Sequence, residues 1–131
     1  MVSEFVRDKR INHGFLLKEK EVCCYKALYH DDVIGYVVRC YECEHIQIGF
    51  GNLMLTINTN AFNSFRNLLK RIMHEHSAIE KETIRCIAVP TPCEGIKLLL
   101  SLRELKEFDN MLEEADTELQ SSLLLKLFSD Q

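Results

Sequence analysis

Gly35-Tyr36-Val37-Val38-Arg39-Cys40-Tyr41-Glu42-Cys43-Glu44-His45-Ile46-Gln47-Ile48-Gly49-Phe50-Gly51-Asn52-Leu53-Met54-Leu55-Thr56-Ile57 is the stretch whose reading decides the fold. Its side chains alternate in character at period two, which is the mark of a strand with two different faces. Ile34, Tyr36 and Val38 alternate with Gly35, Val37 and Arg39. Ile46, Ile48 and Phe50 alternate with His45, Gln47 and Gly49, and Leu53, Leu55 and Ile57 with Met54 and Thr56. Gly51-Asn52 tolerates the positive φ of a two-residue hairpin turn. Tyr41-Glu42 is a second short link. Strands joined this tightly pair antiparallel.

Outward from this stretch, Val22–Tyr29 is rich in β-forming residues, His30-Asp31-Asp32 marks a turn, and Val33–Cys40 resumes the pattern. On the other side, Asn58, Thr59 or Asn60 can cap a helix. Ala61, Phe62, Phe65, Leu68, Leu69 and Ile72 give that helix one apolar face, ending near His76 or Ser77. Thr83–Val89 reads as a strand halted by Pro90 and Pro92. Ile96–Leu100 follows as another. Ser101 with Glu104 forms a capping box, so a helix starts there with Leu102, Leu105, Phe108 and Leu112 on its apolar face. A last helix is expected from about Thr117 to Phe128, with Leu119, Leu123, Leu124 and Leu127 as its stripe.

The expected order is β-β-β-β-α-β-β-α-α, which is an α+β fold. It forms one domain over residues 1–131: an arm at 1–20, ββββα at 22–77 and ββαα at 83–131. Its mainly antiparallel sheet has about six strands, with helices gathered on one face. A shift of 43 residues lays Leu53 on Ile96, Leu55 on Leu98, Ile57 on Leu100, Phe62 on Leu105, Phe65 on Phe108 and Leu69 on Leu112. It also lays Ile46 on Val89 and Cys43 on Cys86. Each unit then reads strand, turn, strand, helix, as in a duplicated ββα unit. Apolar periodicity by itself produces matches of this kind.

The composition is that of a globular protein: 47% hydrophobic, 27% charged, with five Gly and two Pro. The first residues carry no apolar stretch of signal-peptide length, and no apolar run approaches a membrane span. A cytoplasmic location is expected, where the six cysteines would be thiols or metal ligands rather than disulfides. Net charge is −4, with +2 in residues 1–20 and −5 in residues 101–131. That balance disfavours nucleic acid, which needs a basic face.

Cys40-x-x-Cys43-x-His45 is the one local pattern with chemistry in it. Two cysteines at this spacing can turn their sulfurs toward one zinc, which takes four ligands in a closed structural site. A turn at Asp31-Asp32 sets Cys23 or Cys24 nearly opposite Cys40. The expected ligand set is Cys24, Cys40, Cys43 and His45, with Cys23, Cys86 and Cys93 as alternates. The competing reading makes these cysteines reduced, small hydrophobes of the strands. A thiol oxidoreductase using Cys40 and Cys43 is a third reading, but it would want the first cysteine at a helix N-terminus. A nucleic-acid-binding zinc ribbon is a fourth, against the charge balance. His13, His30, His74 and His76 read as solvated or locally bonded. No phosphate loop, nucleophile elbow or His-Glu-x-x-His is present.

The Gly35–Asn52 stretch with Cys40-x-x-Cys43-x-His45-Ile46-Gln47-Ile48-x-Phe50-Gly51, followed by the Phe62-x-x-Phe65 helix, resembles a family of small uncharacterised bacterial proteins of Bacteroidetes type. Thr91-Pro92-Cys93-Glu94-Gly95-Ile96-Lys97-Leu98 resembles it too, and the likeness covers roughly residues 22–115. The resemblance implies a bacterial cytosolic protein and no particular activity. Carrying over its cysteines points to one of Cys23 or Cys24, with Cys40, Cys43 and Cys93. The best expectation is a non-enzymatic interaction or regulatory domain with a structural zinc. The Leu119, Leu123, Leu124 and Leu127 stripe is expected to pack on the protein's own core, with a homodimer through it as the alternative, and the partner is a second copy or another protein.

Overall fold

The computed structural model describes residues 24–129. The arm expected at 1–20, the strand start at Val22 and the alternate ligand Cys23 lie outside them. Four strands, β1 (Tyr25–Asp31), β2 (Gly35–Cys40), β3 (Ile46–Phe50) and β4 (Leu53–Ile57), form an antiparallel meander in the order β1-β2-β3-β4. The helix α1 (Thr59–Glu75) follows, then the hairpin of β5 (Ile87–Pro90) and β6 (Lys97–Leu100), then α2 (Leu102–Ser129). The fold is α+β as expected. The six strands are divided between a four-stranded and a two-stranded sheet rather than joined in one.

The local reasons are visible turn by turn. Asp31 Oδ1 accepts from the amides of Val33 and Ile34 at 2.8 and 2.9 Å, which sets the β1–β2 turn two residues later than the sequence suggests. Those two bonds hold the Asp31 carboxyl below its usual range. Gly51 has φ +59 at the first position of the β3–β4 turn, where a type II′ hairpin takes glycine. Gly35 has φ +151, and a Cβ there would meet the Gly49 carbonyl oxygen at 2.0 Å, so β2 and β3 depend on its missing side chain. Asn58 is the cap of α1, its Oδ1 accepting from Ala61 N–H at 2.7 Å.

Two sequence expectations fail in the second half. The strand expected at Thr83–Val89 begins only at Ile87. The residues before it are used to fasten the start of α2. Glu82 accepts through its carbonyl from Arg103 N–H at 3.0 Å, and the Arg85 guanidinium grips the Glu104 carboxylate with both ends of its fork. That grip, with the Ser101 amide, holds the Glu104 carboxyl below its usual range. The two helices expected at Ser101–Leu112 and Thr117–Phe128 are one continuous helix. Glu113–Asp116 contains neither Gly nor Pro, and Ala115 carries the buried stripe from Leu112 to Leu119 without a break.

The ββα units recur in three dimensions. Ser101 Oγ accepts from Glu104 N–H at 3.1 Å, 43 positions from the Asn58 cap on Ala61. Ile57 pairs with Ile46 and Leu100 with Ile87, so the structural counterpart of Ile46 is Ile87 and not Val89. The β5–β6 connection is longer, which moves the first strand by two positions while leaving the second strand and the helix at 43.

One core joins these elements. β-Alternation sends Val37, Ile46, Ile48, Phe50, Leu55 and Ile57 to one face of the large sheet, and α2 crosses that face at β1 and β2 with α1 packed beside it. Phe108 of α2 lies flat on Phe50 of β3, centroids 4.2 Å apart, and meets Phe65 of α1 edge-on at 5.5 Å. Along the outer seam Arg66 of α1 reaches Glu113 at 2.8 Å and Asp116 at 3.5 Å, and Lys70 reaches Asp109 and Glu113. Burial pushes the Glu113 carboxyl up, but Arg66 and Lys70 outweigh it and hold it low.

Phe108→Ala is expected to cost about 3–5 kcal/mol, because Phe108 is fully buried and bridges sheet and both helices. Urea unfolding would show this as a lower midpoint at unchanged slope. A loss below about 1 kcal/mol would mean that the three-ring contact does not carry the core.

Candidate functional site

The Cys40–His45 turn is where the sequence places its chemistry. Cys40 N–H donates to His45 C=O at 2.9 Å and Glu44 N–H to Cys40 C=O at 3.0 Å, closing the turn. Glu44 takes φ +61 to allow it. Cys43 N–H points at Cys40 Sγ, 3.5 Å away. Cys40 is fully buried, whereas Cys43 and His45 on the same turn are exposed. The motif stands between β2 and β3, so no helix begins at Cys40.

The strand register decides which residue faces Cys40. It is Tyr25, and Tyr41 N–H bonds to Cys24 C=O at 2.9 Å. Cys24, the residue before β1, is exposed. Cys86 is exposed just before β5. Cys93 is exposed in the β5–β6 loop, where its N–H bonds to Thr91 Oγ1 at 3.2 Å. Thus Cys40 and Cys43 are brought together, and Cys24, Cys86 and Cys93 do not join them. Among the described residues no three His, Cys, Asp or Glu side chains are grouped so as to hold a metal ion.

A second place was marked only as a leucine stripe in the sequence. Leu119 is buried in the protein's own core, so it is not part of an outer stripe. Beyond it α2 runs on for ten residues, and Leu124, Leu125, Leu127 and Phe128 are 56, 68, 63 and 70% exposed. Leu123 is the least exposed of the group. Lys26 on β1 ties the helix here, its ammonium donating to Ser122 Oγ at 2.5 Å and lying 3.7 Å from Glu118. From Gln120 to Ser129 the only charged side chain is Lys126, although the preceding part of α2 is strongly acidic. No helix among the described residues is long and apolar enough to cross a membrane.

The burial pattern has a direct chemical readout. A maleimide added to the native protein is expected to label Cys24, Cys43, Cys86 and Cys93 and to spare Cys40 until guanidinium unfolds the chain. Mass spectrometry of the labelled peptides would check this, and Cys40 reacting as fast as Cys43 would contradict the placement of β2.

No curated protein and no solved structure matches the chain. A protein-family comparison matches residues 22–128, which include every described strand and nearly all of α2. With its meander, its second hairpin and its long helix inside that span, the chain belongs to a family of unknown function, DUF6686.

Proposed function

We propose that the protein is a non-enzymatic interaction domain of the bacterial cytoplasm that self-associates through the projecting end of α2. The observation that carries this is the run of exposed Leu123, Leu124, Leu125, Leu127 and Phe128 beyond the last buried residue, Leu119. Monomers rarely expose contiguous apolar patches beyond a few hundred Å². The four of them on one side of the helix, Leu123, Leu124, Leu127 and Phe128, present about 400 Å² per chain, so a pair would bury about 800 Å², the size of a weak, transient interface. Leu123, Leu124, Leu127 and Phe128 follow one another around one side of the helix. An antiparallel pair centred between Leu124 and Leu127 sets each against the other's counterpart, as two-fold symmetry requires. The acidic stretch ends at Glu118, so two copies meet there without like charges opposed.

Light scattering at tens of micromolar is expected to give twice the chain mass, and Leu124→Glu with Leu127→Glu to return the monomer. A monomer mass for the unaltered protein would sink the proposal.

A structural zinc at Cys40 and Cys43 is a second reading, favoured by the turn that aims the Cys43 amide at Cys40 Sγ. Its remaining ligands would be His45 and a thiol outside the described residues, Cys23. Protein purified without added metal would then carry about one equivalent of zinc. Less than about a tenth of an equivalent would end this reading, because structural sites bind tightly.

A further inference from the structure

The free end of α2 and the Cys40–His45 turn leave the molecule at the same end. Met111 Sδ of α2 lies 3.3 Å from where a Cβ on Gly35 would stand, and Lys26 reaches Glu118 and Ser122. Gly35 pairs with Asp31 at one end of β1 and β2, and Lys26 pairs with Arg39 near the other. α2 therefore runs along these strands from the Asp31–Gly35 end to the Lys26–Arg39 end. The lengths agree, since Met111 to Ser122 of a helix and Gly35 to Arg39 of a strand each span about 13–17 Å. Past Ser122 the helix leaves the sheet where the β2–β3 turn stands. That turn projects as well, with Tyr41, Glu42, Cys43, Glu44 and His45 all exposed.

Helical spacing fixes the direction in which the apolar side looks. At about 100° per residue, Leu123, Leu127, Leu124 and Phe128 stand about 40–180° around the axis from Leu119, which faces the sheet. Asp109, Glu113 and Asp116, which meet α1, stand about 60–120° around in the same sense, and Glu118 and Ser122, which meet β1, stand in the other. The apolar side thus looks along the sheet plane, toward the α1 side. A second α2 laid antiparallel there has its two-fold axis along the sheet normal, with both sheets on the same side of the helix pair. An axis between Leu124 and Leu127 crosses about 8 Å beyond the Lys26 tie. The tip of the β2–β3 turn reaches about 10 Å beyond Arg39. The two turns therefore meet at the axis.

We propose that Cys43 and His45 of two copies form one zinc site on this axis, an inference that rests on the α2 pair proposed above. Each copy brings one thiol and one imidazole, and zinc takes four such ligands in a tetrahedron. Glu44 between them has φ +61, which bends the chain from one donor to the other. Among the described residues of one chain no three metal-binding side chains are grouped, and the two-fold doubles two donors to four. The apolar contact alone buries only about 800 Å², the size of a transient interface. It also has to overcome the repulsion of Glu42 and Glu44 from both turns. Zinc bonded across the axis turns that weak contact into a stable pair. Coordination releases the two thiol protons to solvent.

Analytical ultracentrifugation of the full chain, in EDTA and with zinc chloride, tests this. Zinc is expected to lower the dimer dissociation constant by about tenfold or more. Elemental analysis of the dimer should give half an equivalent of zinc per chain, where a single-chain site would give one. Cys43→Ser with His45→Ala should remove the response to zinc and keep the association seen in EDTA, at an unchanged circular dichroism spectrum. Association in EDTA that zinc leaves unaltered would overturn the site and leave the α2 pair standing. A monomer under both conditions would overturn both. One equivalent of zinc on each chain of a monomer would also overturn the shared site.

Discussion

Phe108 holds the structure together. Its ring touches Phe50 on the sheet through a parallel face and Phe65 on α1 through an edge. A hairpin with a helix after it has one apolar sheet face and one apolar helix stripe, and it cannot close a core around either alone. The Phe50–Phe108–Phe65 contact is where the first ββα unit and the helix of the second become one interior. The position of Phe108 on α2 then fixes how far along that helix the core extends. From Leu105 to Leu119 every residue on the inner stripe is buried, and past Leu119 the core has ended.

The projecting end of α2 follows from that geometry. A helix of 28 residues is about 42 Å long, more than the core of a chain this size can cover. Lys26 ties the helix to the edge of β1 at Glu118 and Ser122, and most of the apolar side chains beyond are more than half exposed. The same helix thus serves two roles in sequence order, an acidic part that seals the core against Arg66 and Lys70 and an outer end, charged only at Lys126, that faces outward. Repetition of the ββα unit explains the first half, since Leu105, Phe108, Leu112 and Ala115 stand 43 positions from Phe62, Phe65, Leu69 and Ile72, all eight buried. The outer half has no counterpart in α1, which stops at Glu75.

Much of this was legible beforehand where the signal is local. Period-two alternation identified β2, β3 and β4, Gly51-Asn52 their turn, and Ser101 with Glu104 the start of α2. What misled was also local: Thr83–Cys86 has β-forming residues, but its backbone and the Arg85 fork are claimed by α2. The break expected between Leu112 and Thr117 is absent, and Glu113 and Asp116 within it pair with Arg66 and Lys70 across the helix seam.

For the cysteines the division is sharper. The sequence by itself determined that Cys40 and Cys43 share a tight turn between two strands, because the chain there can do little else. It could not determine which of Cys23 and Cys24 faces Cys40, since a one-residue change in register sends every side chain of a strand to the other face. Pairing of β1 with β2 sets Tyr25 opposite Cys40. Only the tertiary structure revealed that Cys40 and Val38 are buried on the face away from the helices. Alternation says that a strand has two faces, but what covers each is a property of distant residues brought together by the fold.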